Sequence, residues 1–123
     1  MKNAFLSILC LALLVFHAPA KDPERIKTSG GQTIIKAFYD DGTLKTVTRL
    51  HPDGSLLGIL YHTPKGVPTH ADYYDDKKRV RRTLYYRKDG TAKSAKEFDE
   101  QGKVVLEQEL DSAGNVTKET KPK

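Results

Sequence analysis

A glycine recurs every twelve residues along most of this chain, and that spacing admits very few folds. The series runs Gly30, Gly42, Gly54, Gly66, Gly90, Gly102 and Gly114. One interval is 24 residues, because the position of the missing member is held by Lys78. The period therefore marks eight units, one of which has lost its glycine. Repetition at this length means an array of identical supersecondary pieces, each too small to bury a core alone.

The chemistry around each glycine is that of a hairpin turn. Asp41-Gly42, Asp53-Gly54 and Asp89-Gly90 are strong turn dipeptides. Pro52 and Pro64 suit the first central position of a type I turn, where φ is already set. The glycine then takes the left-handed position that forms a bulge and matches strand twist. Four residues before the turn position stand Ile26, Phe38, Leu50, His62, Tyr74, Tyr86, Phe98 and Leu110, and two residues after it Leu44, Leu56, Val80, Val104 and Val116 recur. The stretch between turns is about eight residues, one strand in length. Strands are expected near 32–39, 44–51, 56–63, 68–75, 80–87, 92–99, 104–111 and 116–120. Strands joined by such tight turns are antiparallel neighbours. The fold class is all-β, an antiparallel meander of about eight strands built from 12-residue repeats.

Turn geometry predicts the register. If Leu50 opposes Leu56, then Tyr73 opposes Arg81, Arg81 opposes Glu97, Tyr85 opposes Lys93 and Lys93 opposes Glu109. On the other face Asp72 opposes Arg82, and Arg82 meets the like-charged Lys96. The same register puts Ile35, Val47, Ile59, Ala71, Thr83 and Ala95 in one row, and neither face is cleanly polar. A closed up-and-down barrel is the alternative, but it would turn Lys36, Asp72, Arg82 and Lys96 inward, at several kcal/mol each if unpaired. An open, twisted, largely single-layer sheet tolerates them. A transmembrane barrel fails because charges occupy both faces in mid-strand. At the edges, the last strand ends in Lys118, Glu119, Lys121, Pro122 and Lys123, which discourage pairing. The first, Thr33 to Tyr39, is apolar enough to pair with a second copy or a partner strand.

The first twenty residues are of another kind. Lys2 is followed by the apolar run Ala4 to Phe16 and by Ala18-Pro19-Ala20, the pattern of a secretory signal peptide cleaved after Ala20. The expected organisation is a signal over 1–20 and a single β-repeat domain over 21–123, periplasmic or secreted. Cys10, the one cysteine, lies inside that signal, so the remainder has no thiol or disulfide chemistry. Losing Lys2 takes the net charge from +5 to +4, too small an excess to imply nucleic acid.

Segments such as Phe38-Tyr39-Asp40-Asp41-Gly42-Thr43-Leu44 and Phe98-Asp99-Glu100-Gln101-Gly102-Lys103-Val104 resemble two repeat classes. One is the variant MORN repeat of antitoxin-like bacterial proteins, and the other is the YD repeat of large secreted and wall-associated proteins. The resemblance covers most of residues 26–118. It implies a β-hairpin array used for contacts with proteins or membranes, and no catalytic residues. The chain departs from the MORN pattern in its strict 12-residue step and in having no Trp.

Candidate sites follow from the same residues. The run Lys77, Lys78, Arg79, Arg81, Arg82, Arg87, Lys88 suits an anionic partner, either an acidic protein or an envelope component, or else is a solvated strand and turn. Tyr61, Tyr73 and Tyr85 are expected beside the aliphatic row, where tyrosine offers contact area at low entropy cost. With Arg81 and Arg82 they form the expected partner-binding surface. His62, His70 and Asp72 are expected on one face with His51 opposite, too spread for the three or four converging ligands a metal needs. No cofactor is expected. No nucleophile or acid–base pair is placed for catalysis, and tight turns leave no loop to build a pocket. The expected function is an exported, non-enzymatic module that contacts a protein or envelope component through a sheet face. A periplasmic immunity protein and a self-assembling structural array are the alternatives.

Overall fold

A computed structural model of the chain describes residues 21–122; the expected signal segment over 1–20 lies outside the described residues. The described chain folds as nine strands: β1 (Glu24–Lys27), β2 (Thr33–Phe38), β3 (Leu44–Leu50), β4 (Leu56–His62), β5 (Pro68–Tyr74), β6 (Val80–Tyr86), β7 (Ala92–Phe98), β8 (Val104–Leu110) and β9 (Val116–Thr120). They form one antiparallel sheet in sequence order, β1 to β9. Each strand touches only the strand before and the strand after it, so the sheet is open and not closed into a barrel.

Every turn is a three-residue loop closed by two backbone hydrogen bonds. In the second hairpin Tyr39 N–H donates to Thr43 O at 2.7 Å and Gly42 N–H to Tyr39 O at 2.9 Å. The left-handed residue is a glycine at φ 83–90° in seven turns and Lys78 at φ 63° in the eighth. The N–H of the residue after it is capped by a side chain in all eight turns. The cap stands either just before the three-residue loop (Thr28, Thr63, Asp75, Asp99, Asp111) or at its second residue (Asp41, Asp53, Asp89). Bending the chain frees that donor, and a short oxygen-bearing side chain is the nearest acceptor. Most of the acidic residues that punctuate the repeat serve this purpose.

A second irregularity lies just beyond seven of the eight turns. After Phe38↔Leu44 the pairing resumes at Ala37↔Thr46, so Lys45 is an extra residue in β3. The same bulge leaves Leu57, Thr69, Arg81, Lys93, Val105 and Thr117 unopposed in the following hairpins. One extra residue per hairpin changes the register by one and flips every side chain beyond it. Tyr73 therefore opposes Arg82 rather than Arg81, Arg82 opposes Glu97, Tyr85 opposes Ser94, and Asp72 opposes Thr83. The like-charged pair of Arg82 with Lys96 disappears, since Lys96 faces Thr83. A residue and its counterpart twelve positions on now lie on opposite faces.

The expected aliphatic row is accordingly split. One face, called A here, carries Ile35, Thr48, Ile59, Asp72, Thr83, Lys96 and Glu107 in one row, and Thr46, Tyr61, His70, Tyr85, Ser94 and Glu109 in the next. The opposite face, B, carries Val47, Leu60, Ala71, Leu84, Ala95 and Gln108, beside Ile34, Arg49, Gly58, Tyr73, Arg82, Glu97 and Leu106. Both faces are half-exposed along their length. Among the described residues the buried positions are Gly58, Ala71, Thr83, Ala95 and Leu110, and no large side chain is fully buried. Small residues are the ones covered because neighbouring rings and stems fold over them.

The first hairpin differs from the rest. Its four pairs, Glu24↔Lys36 to Lys27↔Thr33, run without a bulge. The left-handed residue is Gly31, not the expected Gly30, and the next stands eleven residues on at Gly42. β1 also occupies the edge of β2 that was expected to bind a second copy or a partner strand, covering Thr33 to Lys36. The exposed edge is instead a four-residue strand with Glu24, Arg25 and Lys27, which is poorly suited to pairing.

Candidate functional site

The five residues expected to form one binding surface are separated. Tyr61 and Tyr85 lie on face A with His70 between them; the Tyr61 and His70 rings stack at 4.6 Å, and His70 meets Tyr85 at 6.4 Å. Lys96 Nζ sits 5.8 Å from the Tyr85 ring centre. Tyr73 and Arg82 lie on face B, because the bulge flips their parity relative to Tyr61 and Tyr85. Arg81 is the bulge residue itself. Its Nε donates to Phe98 O at 2.8 Å and its Nη1 lies 3.6 Å from Asp75 Oδ2. The three expected metal candidates are split too, with His70 and Asp72 on face A and His62 on face B.

The basic run turns out to be mostly engaged within the fold. Arg79 Nε donates to Asp75 Oδ2 at 2.9 Å, and Asp75 Oδ1 accepts from the N–H groups of Lys77 and Arg79. These donors, led by the Arg79 N–H and joined by its guanidinium, hold the Asp75 carboxyl down at about 2. Arg87 Nη1 donates to Ala92 O at 2.7 Å, and its Nη2 reaches Leu110 O in the next hairpin at the same end. Tyr39 makes the equivalent tie, its hydroxyl donating to His62 O at 2.6 Å. Arg82 Nη1 stands 3.7 Å from Glu97 Oε1, both groups about 40% exposed, a weak pair. The run is therefore a set of braces more than a free cationic patch.

Sequence reasoning missed a duplicated tyrosine pair. Tyr74 lies beside Tyr61 on face A, and Tyr86 beside Tyr73 on face B, each pair thirteen residues apart. Burial, reinforced by the Tyr61 hydroxyl, pushes Tyr74 up to about 12. Burial, with Tyr73 alongside, raises Tyr86 as well. The signal was present in Tyr73-Tyr74 and Tyr85-Tyr86, since adjacent strand residues point to opposite faces.

On face B the second pair borders a hollow. Val47, Leu60 and Ala71 floor it, and Arg49, Tyr73 and Tyr86 stand around it, enclosing ≈ 200 Å³. Gly58 lines it beneath the Tyr73 ring. A Cβ at that position would meet Asp72 O at 2.9 Å and the Tyr73 ring at 3.1 Å, so the ring lies directly on the glycine. The surroundings offer a guanidinium, two phenol hydroxyls and an apolar base. They offer no nucleophile paired with a base. The arrangement can hold a group.

No family model and no curated protein matches the sequence. Solved structures do match the fold. The accessory secretory protein 1, 2 and 3 structure from Streptococcus pneumoniae aligns with a TM-score of 0.54 at 20% identity, over 80% of this chain and 19% of that one. The GtfA/B complex aligns at 0.59 with 19% identity, over 88% and 21%. TarM of S. aureus aligns at 0.53 with 16% identity, over 90% and 23%. The chain thus spans about a fifth of the length of these proteins, and at such identities the likeness is one of fold.

Proposed function

We propose that this chain is an exported, non-enzymatic interaction module that holds a protein partner against a face of its sheet. One observation carries the reading. Nine strands form a single layer in which both faces stay half-exposed, with aromatic clusters in the centre of each. Exposed apolar and aromatic surface of this kind marks interaction sites on soluble proteins. The same sheet architecture occurs in the S. pneumoniae accessory secretory protein structure, the Gap123 complex of Streptococcus agalactiae and the GtfA/B complex, all of them assemblies of several proteins. The export part rests on the Ala18-Pro19-Ala20 pattern behind an apolar run.

The test is site-specific photo-crosslinking of the full chain in its native host. A crosslinking residue is placed at Tyr61 on face A, at Tyr73 on face B, and at Ala113 in a turn. A discrete protein adduct from a face position, absent from Ala113, is the expected result. Equal labelling from all three positions, or none from either face, contradicts the reading. N-terminal sequencing of the recovered chain should begin at Lys21.

A further inference from the structure

We propose that face B takes an acidic segment of the partner protein, seating a carboxylate against Arg49 with neighbouring apolar groups on Val47, Leu60 and Ala71. The inference deepens the function proposed above and rests on it.

Charge distribution selects the face. Over β3 to β6, leaving aside the bulge residues, Arg49 and Arg82 are the only charged side chains on face B, and Asp72 is the only one on face A. Arg49 forms no ion pair or side-chain hydrogen bond among the described residues, whereas Arg79, Arg81, Arg82 and Arg87 all do. A guanidinium presents donors in a fixed fork that matches a carboxylate. Arg82, three strands along the same row, keeps its Nε shielded from solvent with no acceptor in reach. A buried donor of this kind normally finds a partner. Arg49 is thus the arginine of this stretch left without an acceptor, while Arg82 is held by Glu97.

The space beside Arg49 suits a side chain. The row reads Arg49, Gly58, Tyr73, Arg82 on four successive strands, each about 4.8 Å from the next. Arg49 borders the hollow on the side away from the Tyr73 ring, which covers Gly58. At ≈ 200 Å³ the hollow is smaller than the roughly 300–1,000 Å³ of small-molecule pockets. It accommodates one projecting group of a larger partner. The Tyr73 and Tyr86 hydroxyls supply further donors at the rim.

The test is a residue-resolved NMR titration of the full chain with the capped pentapeptide Glu-Ser-Leu-Ser-Glu, which in extended form sets both glutamates and the leucine on one side. Its glutamine counterpart, Gln-Ser-Leu-Ser-Gln, is the control. The expected result is saturable shifts at Gly58, Leu60 and Ala71, with affinity about tenfold lower for the glutamine peptide and falling with salt. Arg49→Gln should bring the glutamate peptide to the glutamine level. Asp72→Asn, on the other face, should leave binding unchanged. Equal affinity for the two peptides, or no saturable shift on the sheet, overturns the assignment. Shifts centred on Tyr61, His70 and Tyr85 overturn it too, while leaving a sheet-face contact intact. Crosslinking to a partner from Tyr61 but not from Tyr73 would likewise separate the two proposals.

Discussion

Lys78 is the one non-glycine residue at a left-handed turn position, and replacing it should stabilise the sheet. At φ 63° an L-residue sets its Cβ against the following carbonyl, at about 1–2 kcal/mol. Glycine removes that clash but brings back about 0.5–1 kcal/mol of chain entropy in the unfolded state. Lys78 makes no ion pair or side-chain hydrogen bond among the described residues, so no contact is lost with it. The expected net gain for Lys78→Gly is about 0.5–1 kcal/mol, a rise of roughly 2–8 °C in Tm for a domain of this size. Gly54→Ala provides the reverse experiment. The glycine sits at φ 89° with nothing within 4 Å of an added Cβ, so its loss adds backbone strain without a packing clash, less the same chain-entropy term. It should cost about 0.5–1 kcal/mol. Thermal melts followed by circular dichroism, backed by urea titration, measure both. A lower Tm for Lys78→Gly together with an unchanged Tm for Gly54→Ala would refute the turn assignment.

Further predictions concern charge and bracing. Asp75 titrates at about 2 in the fold against 3.8 for a free aspartate, so its contribution is present above about pH 4 and fades as pH falls toward 2; Asp75→Asn should be less stable than the parent at pH 6 and converge with it near pH 2 in urea titrations. Tyr74 ionises near 12 in the fold and near 10 when unfolded, so stability should fall as pH rises through that interval; absorbance titration of Tyr74→Phe should lack the late-ionising phenol. Arg87→Met keeps the apolar stem and loses the donors to Ala92 O and Leu110 O, at about 1–2 kcal/mol in the same melts, with Arg87→Lys recovering part of it.

Much of the fold was legible because the turns carry it. Asp-Gly pairs, the 12-residue step and eight of the nine strands followed from residue types alone, and the left-handed conformation of Lys78 was read from its place in the series. The second bulge was not legible. The residues standing there are Lys45, Leu57, Thr69, Arg81, Lys93, Val105 and Thr117, which share no chemistry. Charge pairing gave one warning, the like-charged Arg82 and Lys96, but Arg81 and Arg82 are adjacent and either one satisfies Glu97 in a register one residue apart. That single slip moved Tyr73 away from Tyr61 and Tyr85, and so dissolved the expected site. β1 escaped notice because Glu24-Arg25-Ile26-Lys27 holds one apolar residue and because its hairpin, lacking the bulge, breaks the 12-residue step. The hollow on face B comes together only in the bulged register, and Gly58, a mid-strand glycine outside the turn series, shows its role only once the Tyr73 ring is placed on it.

The presentation of alternate repeats to opposite faces depends on that extra residue in each hairpin, and cross-strand NOEs in the folded protein measure it directly. The register described here predicts backbone contacts of Tyr73 with Arg82 and of Tyr85 with Ser94, with Tyr61, His70 and Tyr85 ring protons in mutual contact and none of them near Tyr73. Contacts of Tyr73 with Arg81 and of Tyr85 with Lys93 would restore the unbulged sheet and contradict the two-faced account.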